Sequence, residues 1–207
     1  VEIVFPDGER LRSDDSRVSA RLSALVGSPV SLQPRRPADD LDHFRRRIPR
    51  DPVALEELLF APPRAFRGPG PFPPDLSRFT CPPGTYFDAY PLHLLTTAWL
   101  AEFATHGVAT RFDRRRFRPN FLIEATGSGK VELGWGGHRL RIGGACVAVE
   151  MRVKRCSMTT HAQPGLPRDP SVLRTLVRES AQIAGVYATV IEPGQVTVGD
   201  PVELLVT

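Results

Sequence analysis

Short strand-like runs with period-two alternation dominate this chain, interrupted by four stretches with helical spacing. A strand over 1–5 leads through a Pro6-Asp7-Gly8 turn to a helix over 16–25, which Ser16 caps, Val18, Leu22 and Leu25 stripe, and Gly27 ends. A strand over 30–33 follows. Further on, a helix is predicted over 94–105, with Leu95, Trp99 and Phe103 on one face and Gly107 as its stop. Strands come next over 121–123, 131–135 and 139–142, the last two joined as a hairpin at Gly136-Gly137, and then a longer one over 145–153. Asp169-Pro170 opens a helix through 178 with Val172, Leu173, Leu176 and Val177 inward. The tail alternates as consecutive antiparallel strands over 186–191, 196–198 and 202–206. Many short strands with few helices predict a mainly β (α+β) fold whose sheet is closed or nearly closed.

Residues 37–85 break this rhythm. They are rich in Pro, Arg and Asp, with Gly68-Pro69-Gly70-Pro71-Phe72-Pro73-Pro74 near the middle, and proline neither donates to a ladder nor favours helix before it. Extended chain is expected, with one short helix from Asp51-Pro52 through 58. The stretch reads equally as a surface linker or as a lid over a site. It divides the chain into 1–36, 37–85 and 86–207.

With 207 residues the chain can bury a core without disulfide staples. Its three cysteines, Cys81, Cys146 and Cys156, are odd in number and lack zinc-knuckle spacing, which argues against a secreted disulfide framework and for a reducing, cytoplasmic setting. No run approaches the roughly 18 apolar residues of a spanning helix, and no signal-peptide pattern opens the chain, so no membrane contact is expected. Val1 stands directly in a strand-like run, so upstream sequence is expected. The net charge of +4 comes mostly from arginine, clustered at Arg45-Arg46-Arg47 and at Arg111, Arg114, Arg115, Arg116 and Arg118. Only Phe112 and Phe117 interleave with these, too few stacking residues for a nucleic-acid face. A solvated basic surface and a small anionic ligand remain open, and arginine's planar fork suits phosphate.

Cys156 is the most telling residue. It follows the strand over 145–153 and stands in Val153-Lys154-Arg155-Cys156-Ser157-Met158-Thr159-Thr160, where two fixed positive charges favour the thiolate that attacks electrophiles or binds soft metals. Other polar residues nearby have plainer readings alongside functional ones. Asn120 after Pro119 can fix a turn, His93 can be a satisfied packing histidine, Tyr187 can be core, and Thr159 and Thr160 can satisfy loop backbone.

Four segments occur in order: Asp88-Ala89-Tyr90-Pro91-Leu92-His93-Leu94-Leu95-Thr96-Thr97, Arg116-Phe117-Arg118-Pro119-Asn120, Arg155-Cys156-Ser157-Met158-Thr159-Thr160, and Gly185-Val186-Tyr187 leading to Pro193-Gly194 and Val198-Gly199-Asp200. Together with Leu166-Pro167-Arg168-Asp169, they resemble the MOSC domain family, named for the C-terminal domain of molybdenum cofactor sulfurase. The resemblance covers about 86–206, and residues 1–34 resemble the end of the family's N-terminal β-barrel subdomain. It implies a β-barrel related to that of pyruvate kinase and a molybdenum-pterin cofactor, with Cys156 as the protein's ligand to the metal. Arg118, Arg155, Tyr187, Ala89, Tyr90 and Asn120 fall at cofactor-contacting positions of that family. The implied activity is an oxidoreductase that takes oxygen from N-oxygenated small molecules, with an external redox protein as electron donor. Two alternatives stand beside it: a sulfur carrier with a persulfide on Cys156, and a binding module without cofactor. Amidoxime-reducing members also carry a Tyr-Pro-Val-Lys-Ser segment that holds the cofactor phosphate, and no such segment occurs in these 207 residues. Tyr90 stands where those members have a small hydroxyl residue.

Overall fold

The computed structural model describes residues 1–47, 78–106, 112–126 and 129–205. The helix expected from Asp51, the stop at Gly107 and the last residues of the tail lie outside them. Strands β1 (Glu2–Val4) and β2 (Arg10–Arg12) form an antiparallel hairpin with Ile3 opposite Leu11. Helix α1 (Val18–Val26) packs Val18 and Leu22 against Phe5 and Leu11, and Gly27 ends it in the left-handed region, its N–H on the Ser23 carbonyl. Ser16 does not cap this helix; Asp15, one residue before it, accepts from the Arg17 N–H at 2.9 Å. Residues 30–33 form no strand. The Val30 N–H bonds to Ser23 Oγ, Val30 and Leu32 are exposed, and no strand lies beside them among the described residues. A short helix α2 (Leu41–Phe44) seats Phe44 against Phe79 and Cys81.

The rest of the chain builds one six-stranded sheet. Its strands are β3 (Leu92–Thr96), β4 (Phe121–Ile123), β5 (Arg139–Ile142), β6 (Ala145–Lys154), β7 (Ile183–Glu192) and β8 (Val202–Leu205), in the order β4-β3-β7-β6-β5-β8. β3 and β4 are parallel, joined by a crossover that contains helix α3 (Thr97–Ala104), and every other pair of neighbours is antiparallel. The long β6–β7 ladder shifts register at three places, and such irregularities bend a strand pair and increase its twist. The sheet curls into a half-barrel, and the expected mainly β (α+β) barrel fold is borne out in that form.

Alternation along the strands separates two apolar layers. Leu94, Ile123, Leu140, Ile142, Val147, Val149, Val186 and Ala188 share the concave side. Leu95 points the other way by alternation, and Ala184 does so because the register shift around Gly185, whose φ is +82°, breaks its alternation with Val186 and Ala188. Both lie on Trp99 and Phe103 of α3 and Val172 and Leu176 of helix α4 (Ser171–Ser180). Burying each large side chain of this kind contributes about 1.5–3 kcal/mol. Phe112 and Phe117 complete the outer layer, so the two rings interleaved with arginines are core and not a stacking platform.

Several expected elements differ, each for a local reason. Leu94 and Leu95 belong to β3, because the Thr96 hydroxyl accepts from the Trp99 N–H at 3.1 Å and starts the helix only at Thr97. Residues 131–134 form a 3-10 turn, not a strand, which turns Glu132 inward so that its carboxylate accepts from Thr96 Oγ1 at 2.7 Å. β5 therefore has no hairpin partner before it and pairs with β6 and β8. Residues 196–198 form no strand, and β7 and β8 are separated in the sheet by β6 and β5. In α4, Val177 faces solvent, while Asp169 supplies the expected cap, accepting from the Ser171 N–H at 2.9 Å.

Candidate cofactor site

Cys156 stands where β6 leaves the sheet, at the start of the 3-10 turn Ser157–Thr160, and its thiol is exposed. The turn is tightened by its own hydroxyls: Thr159 Oγ1 donates to the Cys156 carbonyl at 3.0 Å and Thr160 Oγ1 to the Ser157 carbonyl at 2.7 Å. Behind it, the fully buried Arg116 donates from Nη1 to the carbonyls of Thr159 and His161 and from Nη2 to that of Pro167. A guanidinium with several fixed donors suits this clamp on three carbonyls. Gln182 holds the other side: its carbonyl accepts from the Arg155 N–H at 2.9 Å, and its side-chain amide donates to the Arg155 carbonyl at 2.5 Å. Ala181 and Gln182 both take left-handed backbone angles, with φ of +50° and +71°, in the turn that brings α4 back to β7.

Arg155 turns away from solvent and donates from Nη2 to the Phe117 carbonyl at 2.8 Å. Burial pulls its pKa down, an effect opposed by Tyr187, Cys156 and Asp88 and reinforced by Arg118. Its Nε is buried and has no hydrogen-bond partner among the described residues. Tyr187 on β7 is buried, with its hydroxyl 3.5 Å from Asp88 Oδ2 and its ring 5.5 Å from that of Tyr90. Burial, and then the Asp88 carboxylate, push the Tyr187 hydroxyl well above the usual phenol range, so it remains a proton donor. Ala89 is buried beside Tyr90, while Asp88 is exposed.

His93 underlies this group from β3. Its Nε2 lies 3.2 Å from the Ala184 carbonyl, and burial, then the Arg155 charge, lower its pKa to about 3. It is neutral and packed, the plainer of the two sequence readings. Asn120 exchanges two hydrogen bonds with the same residue: His93 N–H donates to Asn120 Oδ1 at 2.8 Å, and Asn120 N–H donates to the His93 carbonyl at 2.8 Å. That fixes the Arg118-Pro119-Asn120 bend, in which Arg118 is exposed with φ of +52°, a conformation uncommon outside glycine.

Arg118, the Arg155-Cys156 pair and Tyr187 are thus brought together from three places in the sequence, with Ala89 and Tyr90 at the Tyr187 end. A family model for the MOSC domain matches residues 83–203. The chain belongs to the MOSC domain family. Two solved structures are similar to it: a hypothetical protein at 21% identity, with a TM-score of 0.44 over 57% of this chain and 52% of that one, and YiiM from Escherichia coli at 20%, with 0.43 over 57% and 55%. This MOSC chain therefore spans about half the length of the solved structures it matches. No curated protein matches it.

Residue-type reasoning nominated Cys156 and its cationic neighbours but not Arg116, Gln182 or Asp88 as contributors to the site. Arg116 is indistinguishable in sequence from the exposed arginines around it, and the Ala181-Gln182 turn carries no glycine to mark it. Among the described residues no group of three His, Cys, Asp or Glu side chains could hold a bare metal ion. Among the described residues Cys156 therefore has no partner side chains to complete a metal site, and a pterin dithiolene offers such donors. The exposed thiol, the exposed Arg118 guanidinium and the unpartnered Arg155 Nε fit such an anionic, sulfur-bearing group. Among the described residues no helix is long and apolar enough to cross a membrane.

Proposed function

We propose that this MOSC domain binds a molybdenum-pterin cofactor, with Cys156 as protein ligand, and reduces N-oxygenated small molecules using electrons from an external redox protein. The observation that carries the reading is the exposed Cys156 thiol beside the half-buried Arg155, whose buried Nε has no partner among the described residues. When bound, the cofactor supplies the two-electron redox centre. Cys156 offers a soft anionic donor, and Arg118, exposed and with no carboxylate partner among the described residues, can take phosphate or pterin oxygens bidentately. Arg155 adds positive charge that water screens little. Asn120 holds the Arg118 bend, while Tyr187 keeps its proton beside Asp88 and, with Ala89 and Tyr90, bounds the site. The test is reduction of benzamidoxime by protein made in cells that synthesise the cofactor, with reduced methyl viologen as donor. Turnover that disappears in Cys156→Ala supports the reading, and equal turnover in that variant refutes it.

The exposure of Cys156 also favours a second reading, a sulfur carrier with a persulfide there, since an acceptor could reach the outer sulfur. A dithiothreitol-reversible gain of about 32 Da on Cys156, about one sulfur atom, without bound molybdenum would select it.

A further inference from the structure

Among the described residues the curled sheet stops short of closure, and a cavity of about 1070 Å³ lies in its mouth, lined by residues of both edge strands, β4 and β8. Its apolar wall is the concave layer itself: Ile123, Leu140, Ile142, Trp135 and Val202. A cavity of this size is at the upper end of what small-molecule sites need. One end is basic. A smaller cavity of about 400 Å³, lined by Arg114, Arg115, Arg118, Pro119, Asn120 and Leu122, adjoins it and shares Arg114, Asn120 and Leu122.

The cations at that end are not equivalent. Arg115 is held by Asp113 and donates to the Pro164 carbonyl at 3.0 Å. Arg114 and Arg118 have no carboxylate partner among the described residues. Asn120 commits Oδ1 to His93, which leaves its amide nitrogen as a donor on the cavity side. Two carboxylates line the mouth: Glu124, which follows β4, and Asp200, which precedes β8 and accepts from the Thr197 N–H at 2.8 Å, whereas Arg114 and Asn120 precede β4. An apolar trough with an arginine that has no carboxylate partner among the described residues discriminates by charge as well as by shape.

We infer that this mouth is a binding site for an amphipathic anion, a free long-chain carboxylate whose head takes Arg114 and the Asn120 amide and whose alkyl chain lies on the concave layer. Arg118 lines only the smaller adjoining cavity and stays with the proposed cofactor contacts, so the two sites meet at Asn120. Calorimetric titration with dodecanoate below its micelle concentration tests it, alongside acetate, dodecyltrimethylammonium and the variant Arg114→Glu. Arg114 is exposed and outside the proposed cofactor contacts, so its reversal leaves both fold and cofactor site standing. The expected result is one saturable dodecanoate site per chain, with binding weaker by at least about tenfold for each control ligand and for the variant. No saturable binding, equal affinity for the cationic amphiphile, or an unaffected Arg114→Glu would overturn the proposal. So would a dimer that blocks dodecanoate, since a second copy would then occupy the mouth.

Discussion

The Arg155 guanidinium donates to the Phe117 carbonyl at 2.8 Å and ties the residue before Cys156 to the bend that carries Arg118. Replacing it by the similarly long but neutral methionine removes both the bond and the buried charge. Arg155→Met should lose about 1–3 kcal/mol in urea unfolding. Arg155→Lys should not restore it fully, because an ammonium lacks the planar fork.

Arg116 is the stronger structural arginine. Three carbonyls of the loop over 159–167 accept from it, and Arg116→Met would remove all three bonds and leave the buried Thr159 carbonyl without this donor. A loss of about 3 kcal/mol or more is expected. Arg115→Ala, which removes an exposed pair with Asp113, should change stability by less than about 1 kcal/mol. Paired urea titrations of the two variants measure the contrast.

These two neighbours show where the sequence stops being legible. Alternation and the ordered motifs were enough for the β-rich fold and for the grouping of Cys156, Arg118, Arg155 and Tyr187. Leu95, Trp99 and Phe103 were rightly placed in one core, yet the strand-to-helix change at Thr96 was invisible, because a buried strand followed at once by a helix keeps an unbroken apolar run. The strand expected over 131–135 failed because Glu132 answers to Thr96, a contact between residues far apart in the chain. Which arginine is buried is likewise set by distant carbonyls and not by its neighbours.

Gly185 carries a close approach between strands. A Cβ there would stand 2.4 Å from both His93 Nε2 and the Leu94 carbonyl, and its φ of +82° strains any other residue. Gly185→Ala should cost at least about 2 kcal/mol and lower the melting temperature by several degrees.

His93 makes stability depend on pH. Its folded pKa, near 3, lies below its ordinary value of 6.5, so between those values the unfolded chain binds a proton that the folded chain excludes. Stability from this group is present above 6.5 and is lost as pH falls, by about 1.4 kcal/mol per unit. Glu132, with its pKa raised by burial, acts in the opposite sense, so the comparison must be made against a variant. The stability difference between the wild type and His93→Gln should move towards the variant at that slope as pH falls from 6.5 to 4.5. A difference that stays constant with pH would show that His93 is protonated in the fold.

Loading decides the central claim most directly. Wild type and Cys156→Ser, made in the same cells with active cofactor synthesis, can be compared for molybdenum and pterin per chain after gel filtration. The account predicts close to one of each in the wild type and loss of most of the molybdenum in the variant, with the cofactor-free forms of the two unfolding at the same midpoint because the thiol is exposed. Molybdenum bound equally by both proteins, or by neither, would contradict it.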